Sequence, residues 1–220
     1  MERQITSGTP RRGGRGARER ILRAATTLFY EQGIHATGIA RLVETAEVST
    51  RTFYQHFPTK TALVEEYLRS FEARVSQHIE QQLTREGLTP KGQLLAVFTM
   101  IAEAAATRSD AVAKRGCPLH NAAVEAAGQM PNVGELVRRY KQGVTQQLTD
   151  IATRAGATNP QELGRQLAVL LEGATALSTS LDSEQPTHDA RHAARVLIDQ
   201  ALLETQHTRR TNQKKRQSAR

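Results

Sequence analysis

Cysteine is almost absent: Cys117 stands alone in a chain of 220 residues. One thiol excludes an intramolecular disulfide framework and fits a reducing compartment, where it reads as a small buried apolar residue. Long apolar runs are missing too. The most apolar late stretch, "LAVLLEGATALSTSL", is interrupted by Glu172 and falls short of the roughly 20 residues that a membrane span needs. Near the start, "TPRRGGRGARER" has a twin arginine with no apolar region behind it, so it does not read as a secretory signal. There is no strand-like alternation of useful length, no repeat at a fixed period and no Gly-rich phosphate loop. A soluble cytoplasmic protein of all-α class, with no membrane partner, is expected. Aromatic residues make up only 4% of the chain, yet Phe53, Tyr54 and Phe57 crowd into "STRTFYQHFPTK". That stretch is either a core segment or a surface whose rings and hydroxyls touch something else.

Charge is present in abundance, unevenly. The formal net charge is +8. Residues 1–58 carry 9 basic against 5 acidic side chains (+4), residues 59–206 carry 15 against 17 (−2), and residues 207–220 carry 6 against none (+6). A slightly acidic body with basic ends suits a polyanion partner, nucleic acid or an anionic membrane surface; the plainer reading is solubility and disordered tails. Residues 1–16, rich in Gly, Arg and Thr, are expected to form a disordered basic arm, and residues 207–220 a disordered basic tail. Both ends are candidates for tracking phosphates or entering a minor groove.

Between these ends the apolar spacing is helical. Ile21, Ala25, Leu28 and Phe29 share one face of a helix over 17–32 that Gly33 stops. Ile39, Leu42 and Val43 mark a shorter helix, with Thr37 and Gly38 as candidate caps. Ser49 is placed to cap a third helix, and Pro58 to end it by pushing Phe57 out of helical dihedrals. From Thr59, apolar residues recur every four positions, Leu63, Tyr67, Phe71, Val75, Ile79 and Leu83, in one long helix of roughly 40 Å at about 1.5 Å per residue. Further helices are expected over 91–107, 118–128, 132–155, 160–181 and 188–206, punctuated by Gly116, Pro118, Pro131, Gly156, Pro160 and Pro186. About nine helices result.

A three-residue turn, "EVS" at 47–49, joins the second and third helices, which describes a helix-turn-helix. In that motif the first helix of the pair braces on the backbone while the second enters the major groove and needs exposed donors and acceptors. Helical geometry assigns Val48, Phe53 and Phe57 to the core and leaves Thr50, Arg51, Thr52, Gln55 and His56 exposed, with Tyr54 pointing elsewhere.

Residues 18–64, "RERILRAATTLFYEQGIHATGIARLVETAEVSTRTFYQHFPTKTALV", resemble the DNA-binding domain of the tetracycline-repressor (TetR) family of bacterial transcription regulators. The likeness rests on "ILRAATTLF", "EQG" followed by "AT", "VS" at the turn, "TFYQHF", and "PTK" with an apolar residue three positions on. It implies that the third helix reads bases, that Tyr54, His56 and Lys60 face DNA, and that Thr37 contacts phosphate. Ser49, Thr50, Arg51, Thr52 and Gln55 complete the DNA-facing set. Arg51 and Gln55 are the favoured base readers, since Arg pairs bidentately with guanine and Gln with adenine. The sequence departs from the family pattern at Glu47, where Gly is usual, at Val43, where Ala is usual, and at Thr50, where Lys is frequent. A glycine-free turn must adopt other dihedrals or strain a non-Gly residue.

Beyond residue 65 the likeness is mostly architectural. "RGCPLHNAAVEAAG" is similar to a Gly-Cys-x-x-x-Asn-Ala segment of many members. The family implies a helical bundle enclosing an effector pocket and a homodimer formed by the last two helices, here about 160–181 and 188–206. Phe71, Phe98, Met100, Cys117, His120, Asn121 and Tyr140 are the pocket candidates, although an apolar helix residue is more often plain core. The domains would then be 1–16 arm, 17–62 helix-turn-helix, 63–206 effector-binding and dimerisation, and 207–220 tail. "HDARH" at 188–192 is a near miss to the paired-His zinc motif HExxH, has no evident third ligand and reads as an exposed first turn. No metal site, cofactor or catalytic residue is expected. The function that follows is a sequence-specific transcriptional regulator, a repressor released from a palindromic double-stranded operator by a small-molecule effector. The alternatives are a nonspecific basic DNA-binding or architectural protein, or a regulator acting as an activator.

Overall fold

Proline and glycine punctuate the chain into helices. The computed structural model describes residues 16–106 and 115–217, with side chains as far as Leu203. Helix α1 covers Ala17–Gln32 and ends where Gly33 takes φ 98°, a region open to glycine, with its N–H returning to the Phe29 carbonyl. Two short helices follow, α2 (Ile39–Thr45) and α3 (Thr50–His56), then the long α4 (Lys60–Leu83). The remainder is α5 (Pro90–Ala106), α6 (Pro118–Glu125), α7 (Pro131–Ala155), α8 (Pro160–Ser180) and α9 (Gln185–Gln217). Pro118, Pro131 and Pro160 each open a helix, where a missing N–H removes no intrahelical bond. Among the described residues there are nine helices and no strand.

The chain divides into two compact units between Arg69 and Ser70, inside α4. The first is a three-helix cluster closed by the start of α4. Ile21, Leu28 and Phe29 of α1, Leu42 of α2, Phe53 of α3, Phe57, and Leu63, Val64 and Tyr67 of α4 form its core. Phe29 meets Tyr67 edge to face at 5.6 Å. Burying Phe53 and Phe57 contributes about 1.5–3 kcal/mol each, the main hold on the seven-residue α3.

The second unit packs α5, α7, α8 and α9 around Leu94, Phe98, Leu148, Ile151, Leu167, Ala194 and Ile198, with Leu83 of α4 added. Lys91 and Asp199 pair between α5 and α9. Thr158, in the loop before α8, donates from its N–H and its hydroxyl to the Ala201 carbonyl of α9.

Helix α9 does not end near 206: it is helical to Gln217, through most of the stretch expected to be a disordered tail. No Gly or Pro follows Pro186, and Lys, Arg and Gln are good helix formers, so charge alone does not break the helix. Residues 1–15 of the expected arm, and 218–220, lie outside the described residues.

Candidate nucleic-acid interface and ligand cavity

Ser49 starts α3 as its position demands. Its backbone is extended, and its Oγ accepts the Thr52 N–H at 3.0 Å. The Ser49 and Thr52 hydroxyls also share a hydrogen bond at 2.8 Å. At the other end Phe57 is extended, φ −133°, ahead of Pro58. Phe53 and Phe57, four residues apart, point inward. Arg51, Tyr54 and Gln55, at i, i+3 and i+4, share the opposite, exposed face. Tyr54 is 47% exposed, braced edge to face on Phe53 with centroids 5.3 Å apart. Thr50 and Ser49 are exposed, and Thr52 and His56 are half-buried beside them. Lys60, half-buried, opens α4 three residues after Phe57. One small surface thus carries a guanidinium, an amide, a phenol, hydroxyls, an imidazole and an ammonium group, and no acidic residue lies between Val48 and Val64.

Thr37 does not belong to this surface. It is fully buried, and its hydroxyl donates to the Gly33 carbonyl at 2.7 Å, with the Leu28 carbonyl at 3.3 Å. It closes the end of α1 instead of facing a phosphate, and Gly38, not Thr37, is the N-cap of α2. The turn before α3 takes the strained solution: Glu47 adopts φ 50°, left-handed without being glycine. Val43 is accommodated half-buried.

In the second unit a cavity of about 190 Å³ opens between the segment entering α6 and the side of α8. Arg115, Gly116, Cys117, His120 and Asn121 line one wall. Glu172, Thr175, Ala176, Thr179 and Ser180 line the other. The Asn121 amide donates to the Arg115 carbonyl and holds the entering segment in place. Glu172 is paired with Lys141 of α7. The hydroxyls of Thr175, Thr179 and Ser180 donate to the carbonyls of Leu171, Thr175 and Ala176 in their own helix. The α8 wall is therefore rich in acceptors. Three expected pocket residues, Cys117, His120 and Asn121, meet here; Phe71 and Met100 are half-buried outside the lining, and Tyr140, also half-buried and not in the lining, lies near Cys117 and Glu172. Phe98 is a correction: it is fully buried in the core and reaches no open space. The Tyr140 phenol is raised well above its ordinary pKa, first by burial and then by the nearby Cys117, Glu172 and Glu72. The α8 wall has no counterpart among the expected pocket residues, since the stretch ending in "TALSTS" is assigned in sequence to the dimer-forming helix.

Comparison with known proteins bears on both units. Residues 21–67 match the family "Bacterial regulatory proteins, tetR family", and residues 90–194 match the "Tetracyclin repressor-like, C-terminal domain". The HTH-type transcriptional repressor KstR2 of Rhodococcus jostii is 32% identical over 101 residues, 46% of this chain and 49% of that protein. The HTH-type transcriptional repressor DhaR of a Mycobacterium species is 27% identical over 128 residues, 58% of this chain and 61% of that one. The chain thus spans about half the length of the curated relatives it matches. Among solved structures, SCO4454, a TetR-family transcriptional regulator from Streptomyces coelicolor, superposes with a TM-score of 0.78 at 28% identity, over 84% of this chain and 90% of that one. With the two domain matches following in order along the chain and the likeness to a TetR-family regulator structure, the chain belongs to the tetR family of bacterial regulatory proteins.

Proposed function

We propose that the protein is a homodimeric, sequence-specific DNA-binding transcriptional repressor of the cytoplasm, released from its operator by a small-molecule effector. The observation that carries the reading is the outer face of α3, where Arg51, Tyr54 and Gln55 stand exposed while Phe53 and Phe57 are locked in the core. Arg51 and Gln55 read base edges; Ser49, Thr50, Thr52, Tyr54, His56 and Lys60 hold the phosphate backbone. The curated relatives named as repressors support the direction of control.

Dimerisation is supported by apolar side chains left exposed on and beside the last two helices: Val169 and Leu177 on α8, Leu181 at its C-cap, and Val196 and Leu203 on α9. Exposed large aliphatics grouped on adjacent helices mark an association surface. A two-fold dimer presents two copies of α3 to a palindromic operator. The cavity between α6 and α8 is the effector site in this reading. An effector weakens operator binding only by favouring the conformation in which the two reading heads are wrongly spaced, which is a difference in its affinity for two states.

Selection of bound duplexes from a random pool by the purified protein tests the proposal. A palindromic consensus present upstream of genes near its own supports it. Equal affinity for random duplex and for the selected sequences overturns it in favour of a nonspecific basic DNA-binding protein.

A further inference from the structure

One turn at the start of α1 grips the chain on both sides of α3. Arg20 donates from Nε to the Ala46 carbonyl at 3.0 Å; Ala46 caps the end of α2 and immediately precedes Glu47. Arg18 places Nη2 2.7 Å from Glu66 Oε1 on α4, and its Cζ lies 5.4 Å from the centroid of the Phe57 ring. Phe57 caps the end of α3. The seven-residue α3 is too short to be stable or rigid by itself, so its direction is set by what holds its two ends. Cationic donors at helix C-termini satisfy carbonyls that have no partner within the helix, which is the part Arg20 plays for α2.

We propose that Arg18 and Arg20 are positioning residues for DNA recognition, acting through Ala46, Phe57 and Glu66 to aim α3, and not phosphate ligands of a basic arm. The inference rests on α3 being the reading helix. Arg18 and Glu66 are 46% and 29% exposed, and ion pairs of that exposure add little to global stability. Their effect therefore falls on where α3 points, while the Phe53 and Phe57 anchors keep the domain folded.

Charge gives the test its sign. Glu66→Gln removes a negative charge from a protein that meets a polyanion, so bare electrostatics tightens binding, whereas loss of a clamp weakens it. Arg18→Lys keeps the charge but loses the planar group that lies over Phe57 while its Nη2 donates to Glu66 Oε1. The full-length protein is titrated with its own selected operator duplex and with random duplex across a range of salt, with thermal midpoints recorded alongside. Expected for Glu66→Gln, Arg18→Lys and Arg20→Lys is a roughly three- to tenfold loss of operator affinity, with midpoint unchanged and with random-duplex affinity unchanged in the two Lys variants and unchanged or slightly tighter in Glu66→Gln. The Arg18→Lys/Glu66→Gln double variant should lose no more than either single one. Unchanged or tighter operator binding by Glu66→Gln overturns the proposal. So does a uniform loss across sequences with a shallower salt slope in Arg18→Lys, or a fall in midpoint without a change in affinity. If Arg51→Ala and Tyr54→Phe also bind the operator as wild type does, the assignment of α3 has failed, and not the clamp alone.

Discussion

Gly164 of α8 lies against Thr149 of α7 so closely that a Cβ on it would stand 3.0 Å from the Thr149 backbone N and Cα, and closer still to its hydroxyl. Both residues are buried, and the obstacle is main chain, which cannot swing aside. Gly164→Ala should therefore lower stability by about 1–3 kcal/mol through overpacking, read from chemical denaturation. Thr149→Ala added to it should restore only part of that loss, because the backbone contacts remain.

A second close approach lies in the cavity wall. Gly116 has φ 73°, and a Cβ there would meet Thr179 Oγ1 at 2.7 Å. Gly116→Ala both strains the backbone and narrows the cavity. If effectors enter there, this variant should still bind operator but lose induction, measured as operator release in cell extract or with the effector once isolated. Full induction in a folded Gly116→Ala protein would move the effector site elsewhere.

Glu47 holds a left-handed dihedral that costs a non-glycine residue about 1–2 kcal/mol. Glycine removes that strain but loses more entropy on folding, so Glu47→Gly should stabilise by only roughly 0.5–1 kcal/mol. A small rise in thermal midpoint is the expected reading, and a fall would mean that the side chain contributes more than its dihedral costs.

Tyr140 gives the stability a dependence on alkaline pH. In the folded chain its phenol keeps its proton above the range, near pH 10, where an unfolded tyrosine loses it. The folded state then binds the proton more tightly, so this stabilisation is whole below about pH 10 and declines as pH rises further. Tyr140→Phe should flatten that decline relative to wild type. Denaturation midpoints between pH 8 and 11 would show it.

The proposed role of α3 in reading bases predicts that its side chains separate by type. Tyr54→Phe and Lys60→Ala are expected to weaken binding across all sequences, Lys60→Ala with a salt slope smaller by about one. Arg51→Ala should instead relax preference at one operator position, with a discrimination loss of about 1–3 kcal/mol. An unchanged selected consensus after Arg51→Ala would refute its assignment to a base.

Local signals made much of this legible in sequence. A serine before a short amphipathic run and a proline after it place α3, and the Phe53/Phe57 spacing says which face is buried. Thr37 was misread because a threonine ahead of a glycine and a helix looks like a cap whichever way its hydroxyl turns; its bonds go back to α1, a tertiary choice. Phe98 failed for a similar reason, since an apolar residue on a helix does not reveal whether its neighbours leave space. The tail of α9 was judged on charge, while the absence of a helix breaker was the stronger clue. The tethering by Arg18 and Arg20 had no signal in sequence, because their partners, Glu66 and Ala46, are distant along the chain.

The hydroxyl pair at the start of α3 limits what that helix can say. Ser49 and Thr52 share a hydrogen bond and Ser49 Oγ accepts the Thr52 N–H, which ties both hydroxyls to the helix start and suits them to a fixed phosphate more than to a base edge. In the proposed reading the groups left for base edges are few: the Arg51 fork and the Gln55 amide, with Tyr54 and Thr50 on phosphate. An operator read with so few words should concentrate its information in a few base pairs of each half-site, with the positions between them nearly silent.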